Sequence, residues 1–258
     1  MMSAEFAPAN LLEIALKDAA VDPAAVPRFL CELMDSKILI VPAGEKPRIV
    51  NGVAQEGAKI NLANIEIQGR QCVPFFTSEA RLSAGTEFLM LDARVFFEMT
   101  RGAHLVMNPG AAYGKEFYPE EISRLLSGEV FEPKERYVAK KDEQVLIGQP
   151  ADYPKELVEA LCRLYATKPA LKRAWVAFYH NPGRDTEGGL LIALDVPTQN
   201  DMERISGESG IVIESTPKKQ KYVDLVRYAD VGVAGYFTNQ KPFYQKNAFK
   251  RLWNKFTT

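Results

Sequence analysis

The sequence predicts an α+β protein built from two mixed, mainly antiparallel domains. Its 258 residues, 47% of them hydrophobic, lie in the size range where a single core tends to split into two. Short runs of β-branched and aromatic residues follow one another, without the strict alternation of strand and helix that a parallel sheet requires. A highly charged segment, residues 129–144, lies between the two halves. We therefore predict domains at 1–128 and 145–258, joined by a linker at 129–144.

The first half is predicted to begin with two helices. Asn10 and Glu13 have the spacing of a reciprocal helix cap, and Asp22 followed by Pro23 starts a second helix whose apolar residues recur every three or four positions. Later helices end before glycines, which favour helix C-termini. The later helices are predicted at 93–101 and 119–126, and the strands at 37–41, 65–67, 71–76, 87–91 and 105–107.

The second half repeats this mixture of strands and helices. A long helix is predicted over residues 154–167, where leucines recur on one face. Turns rich in Pro and Gly separate the strands of this half. The predicted strands are residues 145–147, 174–179, 190–196, 211–213 and 223–228.

Charge and residue counts exclude several classes of function. With 32 Lys and Arg against 33 Asp and Glu, the net charge is −1, so no nucleic-acid partner is expected. The two histidines, His104 and His180, are far apart and form no short metal-binding motif, so we predict no metal ligands and no cofactor. No apolar run approaches the ~18 residues of a membrane span, and we expect a cytoplasmic protein without a membrane partner.

Three widely spaced cysteines form neither a disulfide framework nor a zinc motif. Cys31 and Cys162 fall on apolar faces of predicted helices and are interpreted as buried apolar side chains. Cys72 lies in a predicted strand, where Pro74 removes one backbone donor and apolar neighbours raise the pKa of a thiol. We interpret Cys72 as structural and keep a catalytic thiolate as the alternative.

Two sequence blocks of the first half carry a family resemblance. Residues 73–82 read VPFFTSEARL, and residues 105–122 read LVMNPGAAYGKEFYPEEI. Together with residues 146–161 and the closing KPFY at 241–244, they make nearly the whole chain similar to the SseB, or enhanced serine sensitivity, family. The resemblance implies a two-domain bacterial protein of the cytoplasm, linked by name to serine sensitivity. It supplies no agreed reaction and no catalytic residues.

Both blocks contain predicted turns between a strand and a helix. In the first block, Thr77 or Ser78 is expected to cap a short helix. In the second block, Gly110 supplies the positive φ of an Asn-Pro-Gly turn. These loops either only connect sheet to helix, or they line a groove for a protein partner or a small metabolite through exposed side chains. The candidate binding residues are Ser78, Arg81, Asn108, Tyr113, Lys115 and Glu116.

The C-terminal residues are predicted to form a basic amphipathic helix. Phe249 and Trp253 lie on its apolar side, and Lys250 and Arg251 lie on its polar side. We expect this helix to dock on its own domain, with a protein or membrane surface as the alternative.

Three functions follow from these observations. The leading hypothesis is a non-catalytic interaction or regulatory protein that binds a protein partner or small metabolite through loops of the first domain. The alternatives are a sulfur-transfer or serine-related enzyme using Cys72, and a membrane-surface adaptor acting through the C-terminal helix. The oligomeric state does not follow from the sequence.

Overall fold

The computed structural model divides the chain into two compact units, Met1–Val130 and Phe131–Thr258. It describes residues 6–44, 49–50, 53–54, 60–132, 145–180, 188–230 and 233–246. Most of the predicted linker, residues 133–144, lies outside the described residues, so its limits stay a prediction.

The first unit is built on a mixed sheet with the strand order β6-β1-β5-β7-β8 and with β4 beside β5. All pairs are antiparallel except β5 and β7, which run parallel. Two further strands, β2 and β3, form a separate hairpin. The strands are β1 (Lys37–Ile40), β2 (Ile49–Val50), β3 (Val53–Ala54), β4 (Ile65–Ile67), β5 (Arg70–Phe76), β6 (Leu89–Asp92), β7 (His104–Met107) and β8 (Lys115–Phe117).

Helices of the first unit enclose an aromatic core. Phe75 on β5 contacts Phe96, Phe97 and Phe117, with ring centroids 5.4 to 5.9 Å apart. All four side chains are completely buried, and each contributes roughly 1.5–3 kcal/mol on burial. The helices are α1 (Leu11–Val21), α2 (Val26–Met34), α3 (Ala93–Met99) and α4 (Pro119–Ser127), with 3₁₀ helices at Pro23–Ala25 and Glu79–Arg81. A further 3₁₀ helix, Glu129–Phe131, spans the boundary between the two units.

The second unit repeats the design with the strand order β12-β11-β10-β13 and with β9 beside β10. Its pairs are antiparallel except β11 and β12, which are parallel. The elements are β9 (Leu146–Gly148), α5 (Lys155–Ala166), β10 (Arg173–His180), β11 (Gly189–Asp195), α6 (Gln199–Ser215), β12 (Val223–Arg227), α7 (Val233–Phe237) and β13 (Tyr244–Gln245). The predicted class of two α+β domains with mixed, mainly antiparallel sheets is confirmed.

One predicted strand is wrong. Residues 211–213 belong to α6, which begins after Thr198, whose hydroxyl accepts a hydrogen bond from the Asp201 amide at 3.1 Å. Ile211, Val212 and Ile213 are all buried, so the apolar run belongs to a helix covered on several sides. A short buried run of β-branched residues looks the same in a helix and in a strand. The missed signal was the helix start at Gln199, 12 residues earlier.

Candidate functional site

The candidate site of the first unit lies where two neighbouring parallel strands end. Phe75 of β5 is in register with Met107 of β7, and the chain leaves these strands through Thr77 and Asn108. Sites in sheets with parallel strands commonly form beyond the carboxyl ends of those strands. The N-terminal segment and the start of α1 reach this same edge, because Asn10 Nδ2 donates to the Thr77 carbonyl at 2.7 Å.

Glu13, in the first turn of α1, is the buried centre of this edge. Its backbone N–H donates to Asn10 Oδ1 at 2.9 Å, and its own carboxylate accepts from the Ala9 N–H at 2.8 Å. The first bond is the N-cap that the sequence predicts, whereas the reciprocal bond comes from the Ala9 amide, one residue before the cap, and not from Asn10. The Glu13 side chain has no solvent exposure, which the cap alone does not explain.

The Glu13 carboxylate is held by the loop that follows β5. Its Oε1 accepts from the hydroxyls of Thr77 and Ser78 at 2.6 and 2.7 Å. Arg81 donates to both carboxylate oxygens, from Nε and Nη2, each at 3.0 Å. Burial opposes ionisation of Glu13, but the hydrogen bonds from Arg81, Thr77, Ser78 and the Ala9 amide outweigh it and hold its pKa below the ordinary value. The carboxylate is therefore ionised, and both of its oxygens accept hydrogen bonds from the protein itself.

Asn108 joins the loop after β7 to the same cluster. Its Oδ1 accepts from the Thr77 amide at 3.0 Å, and its Nδ2 donates to the Thr77 hydroxyl at 2.8 Å. Its φ of 49° lies in the left-handed region, which asparagine tolerates better than most residues. We call Glu13, Thr77, Ser78, Arg81 and Asn108 the Glu13 cluster.

The expectation that Asn108 is exposed on a loop was wrong. Only 1% of its surface is accessible. Its side chain turns inward, because its Oδ1 accepts a hydrogen bond from the Thr77 backbone N–H, which would otherwise lack a partner. Ser78 also differs from the expected cap: it occupies the N-cap position of the Glu79–Arg81 turn, but its hydroxyl donates to Glu13.

The loop after Asn108 is a tight turn with special backbone requirements. The Ala111 amide donates to the Asn108 carbonyl at 3.1 Å, with Pro109 and Gly110 between them and Gly110 at a φ of 79°. This is the turn that the sequence predicts. At Gly114 a Cβ would lie 2.6 Å from the Met107 carbonyl oxygen, so only glycine fits where the loop turns back into β8.

Tyr113 packs at the edge of the Glu13 cluster through the N-terminal segment. Its ring meets that of Phe6 edge to face, with centroids 4.9 Å apart. The Arg81 guanidinium carbon lies 3.9 Å from the centroid of the Phe6 ring, and Arg81 also donates to the Ala7 carbonyl at 2.5 Å. Arg81 thus connects the buried carboxylate to the segment that covers it.

The structure does not bring Lys115 and Glu116 into the Glu13 cluster. They are successive residues of β8 and therefore face opposite sides of the sheet. Lys115 pairs with Glu121 at 2.9 Å, whereas Glu116 pairs with Arg70 at 3.1 Å. Of the six candidate residues, Ser78, Arg81 and Asn108 meet at one cluster, Tyr113 packs beside it, and the other two lie elsewhere.

Sequence reasoning missed three participants: Glu13 as a buried centre, Thr77 as a shared partner, and Phe6 as a cover. The cap spacing identified Glu13 only as a helix start. Its burial depends on Arg81, 68 positions later in the chain, and a contact over that separation leaves no local pattern.

Cys72 lies deep in the sheet of the first unit. It is 2% exposed, and its Sγ lies 3.7 Å from the Arg70 carbonyl oxygen that accepts from it. His104 is its register partner on β7. Sequence reasoning did not connect these two residues, which are 32 positions apart. Within the described ranges, no three His, Cys, Asp or Glu side chains converge as metal ligands would.

The other two cysteines differ from the expectation of full burial. Cys31 is exposed on α2, and Cys162 on α5 is only partly buried. Cys162 Sγ donates to the Phe243 carbonyl at 3.6 Å, and burial raises the pKa of its thiol. The apolar periodicity of both helices was correct, but these two positions lie towards the margins of the buried faces.

The predicted C-terminal helix lies outside the described residues, and with it Phe249, Lys250, Arg251 and Trp253. Among the helices that are described, none combines the length and apolar character needed to cross a bilayer.

Two mixed sheets, each with one parallel pair and helices packed against it, define a two-domain α+β protein. Comparison with protein families assigns both halves. The model of the SseB protein N-terminal domain matches residues 12–124, and that of the SseB protein C-terminal domain matches residues 139–246. The chain therefore belongs to the SseB family, as the resemblance of its sequence blocks indicated.

The chain is also similar to two curated relatives over most of its length. It is 28% identical over 245 residues to Protein SseB of Escherichia coli (strain K12), and the match covers 92% of each chain. Protein SseB of Shigella flexneri matches with the same identity and coverage. No solved structure matches this chain.

Proposed function

We propose that this chain is a non-catalytic, cytoplasmic interaction or regulatory protein that binds a protein partner through the loop surface above the Glu13 cluster. We define this loop surface as residues 7–11 and 109–113. The proposal includes the link to serine sensitivity that the family name carries, as a consequence of partner binding.

The observation that carries the proposal is the contrast between the buried cluster and the loops above it. The carboxylate, hydroxyls and guanidinium of the Glu13 cluster bond one another, which favours a structural role for them. The residues above them are uncharged and exposed: residues 7–10, Gly110 and Ala112 all face solvent, and Leu11 is 63% exposed.

The hydrogen bonds of the Glu13 cluster hold the segments that carry this loop surface in fixed positions, which favours binding. Three chain segments, from the N-terminus, from the end of β5 and from the end of β7, are tied together by the cluster. Loops that are already ordered lose less conformational entropy when a partner docks. Binding residues are commonly carried on loops that a rigid scaffold holds in position.

The test compares charge insertion within and outside the loop surface. Ala112→Glu and Leu11→Glu place a carboxylate on it, whereas Val21→Glu places one at the far end of α1, where Val21 is 76% exposed. Proteins captured from the source cells by tagged wild-type chain should be identified, purified and titrated. We expect Ala112→Glu and Leu11→Glu to weaken binding of the partner at least about tenfold, because the new carboxylate would lose water when the partner docks. Val21→Glu should leave the affinity for the partner unchanged.

Equal binding by all three variants would remove the loop surface from the proposal. Circular dichroism of each variant separates lost binding from lost folding. Serine sensitivity of cells that carry each variant then tests the regulatory part: it should appear with Ala112→Glu and Leu11→Glu, and not with Val21→Glu.

A thiol-dependent activity is the second candidate, and the register of Cys72 with His104 favours it. Cross-strand partners carry their side chains on the same face of the sheet, and an imidazole that reaches a thiol can activate it as a nucleophile. The 2% exposure of Cys72 opposes this role. Alkylation of the native protein distinguishes a catalytic from a structural Cys72, because its rate can be compared with that of the exposed Cys31 in the same chain. We expect Cys72 to react far more slowly than Cys31; faster reaction would move the enzyme hypothesis to first place.

A further inference from the structure

The N-terminal segment of the first unit buries one ring at the end of an otherwise exposed stretch. We call residues 6–9, which read Phe-Ala-Pro-Ala, the N-terminal strap. Phe6 is 5% exposed, whereas the other residues of the strap face solvent. The strap has no regular secondary structure and lies directly before the Asn10 cap of α1. It therefore contacts the unit through one large side chain and through its own backbone.

The backbone of the strap is bound as the backbone of an extended peptide is bound. Arg81 Nη2 donates to the Ala7 carbonyl at 2.5 Å. The Ala9 N–H donates to Glu13 Oε2 at 2.8 Å. Pro8, between these two contacts, has no N–H to satisfy and restricts the strap to few conformations. Where a protein recognises an extended peptide, main-chain hydrogen bonds contribute affinity and side-chain pockets contribute specificity.

The pocket that holds the Phe6 ring is formed outside the main aromatic core. The Arg81 guanidinium carbon lies 3.9 Å from the centroid of the ring, and the Tyr113 ring meets it edge to face at 4.9 Å. Arg81 also donates two hydrogen bonds to the Glu13 carboxylate, so this wall of the pocket does not depend on the Phe6 ring for its position. A pocket whose walls are already in place binds a ring with little loss of conformational entropy.

We propose that the Phe6 pocket is a recognition site for the aromatic side chain of an extended peptide segment, and that the N-terminal strap is its internal ligand. A partner segment makes the same contacts when it carries an aromatic residue, a free carbonyl one residue later and an N–H three residues later. The strap and the partner segment then compete for one pocket. The inference concerns the pocket beneath the loop surface, and a probe peptide tests it without the partner sought there.

The strap can leave the pocket without disrupting the sheet or the helices. It precedes α1 and takes part in no strand pair, so its release breaks the contacts of one ring and two hydrogen bonds. Segments with so few contacts open locally at a much lower free energy than the whole unit unfolds. Because the strap is tethered next to its pocket, it competes at an effective concentration in the millimolar range.

The experiment measures binding of a synthetic peptide to the full chain. The probe is the acetylated peptide Phe-Ala-Pro-Ala-Asn with a fluorophore at its C-terminal end, and fluorescence anisotropy reports binding. In Phe6→Ala the internal ring is absent and the pocket is open to the probe. We expect Phe6→Ala to bind the probe at least about tenfold more tightly than the wild-type chain, in which the strap competes.

Three controls define the pocket. A probe with alanine in place of phenylalanine should not bind. Adding Tyr113→Ala to Phe6→Ala should abolish the gain in affinity, because it removes one wall of the pocket. Val21→Ala removes an apolar side chain that is 76% exposed at the far end of α1, and this variant should bind the probe as the wild-type chain does.

The outcomes separate an internal ligand from a core residue. Circular dichroism checks the fold of Phe6→Ala, and Phe6→Leu, which keeps apolar bulk but lacks the ring, replaces it if it does not fold. Failure of both variants to fold overturns the proposal, because an internal ligand can be removed without loss of the unit. A folded variant that binds the probe no more tightly than the wild-type chain overturns it as well, and so does equal binding of the probe without a ring.

Discussion

The carboxyl ends of the two parallel strand pairs, one in each unit, carry similar groups at different depths. In the first unit Arg81 meets Glu13, with side chains 12% and 0% exposed. In the second unit Arg173, at the start of β10, meets Asp195, at the end of β11, with a distance of 2.9 Å and exposures of 42% and 19%. Each arginine also lies over an aromatic ring.

The aromatic neighbours complete the comparison. In the first unit the Arg81 guanidinium lies over Phe6, which is 5% exposed, and Tyr113 meets Phe6 edge to face. In the second unit Trp175 and Tyr228 stack with centroids 4.6 Å apart and planes 18° from parallel, and Trp175 is 2% exposed. The first unit thus buries both its ion pair and the aromatic ring beside it, whereas the second unit buries Trp175 beside an ion pair that is partly exposed.

This difference predicts which group each unit depends on. A buried carboxylate that loses its cation is left with an uncompensated charge, and an exposed one is simply solvated. Stacked rings contribute through burial and contact wherever they are shielded from water. We expect stability to depend on the arginine in the first unit and on the aromatic stack in the second.

The largest effect is expected for Arg81→Met. Removing the cation leaves the Glu13 carboxylate buried, which should lower the free energy of unfolding of the first unit by about 3–5 kcal/mol. Urea unfolding followed by far-UV circular dichroism measures it. Both tryptophans, Trp175 and Trp253, lie in the second half, so the fluorescence transition of that half is the internal control and should stay unchanged. A loss below about 1 kcal/mol would contradict the importance of burial.

The next effect concerns acid stability. Because folding lowers the pKa of Glu13, the unfolded state binds the proton first as the pH falls. This stabilisation is complete above the ordinary carboxyl pKa of about 4.3 and is lost as the pH falls through the lower folded value. Glu13→Gln should reduce the slope of unfolding free energy against pH in the acid range. Asp195→Asn is the control, and an equal reduction in both variants would refute the assignment to Glu13.

A smaller effect is expected for Tyr228→Leu in the second unit. The substitution keeps apolar bulk but removes the stack on Trp175, which should lower the free energy of unfolding by about 1 kcal/mol. Tryptophan fluorescence during urea unfolding measures the change. Tyr153→Leu is the matched control at a tyrosine that is 52% exposed, and an equal loss there would show that the stack adds nothing.

The smallest effect is expected for Arg173→Met. The pair with Asp195 is partly solvated, so its loss together with the cation–π contacts should change stability by at most about 1 kcal/mol. The same fluorescence measurement applies. A loss as large as that of Arg81→Met would show that the two ion pairs are equivalent and that depth does not separate the two units.

Local patterns predicted most elements of both units. The Asn10 and Glu13 cap, the glycine turn at Gly110 and the left-handed Gly128 after α4 all appear where the sequence places them. Each depends on hydrogen bonds or φ angles within a few residues, which is the range that a sequence pattern reports. The helix α6 was missed altogether, and its three buried β-branched residues were predicted as a strand because such a run satisfies both helix and strand.

The sequence by itself determined the family, the fold class and the strands β5 and β7 at the start of the two signature blocks, but not β8 within the second block. Only the tertiary structure decided what the polar residues of those blocks do. Arg81 and Asn108 read as exposed binding groups, yet they are turned inward because Glu13 and the Thr77 backbone need partners that no local segment supplies.

The position of Pro74 within β5 was also decided by the tertiary structure. It is tolerated between the residues that pair with β4 and those that pair with β1, where the ladder on that side is interrupted. Such assignments depend on which distant segments are adjacent in space, and that is settled by packing of the whole unit.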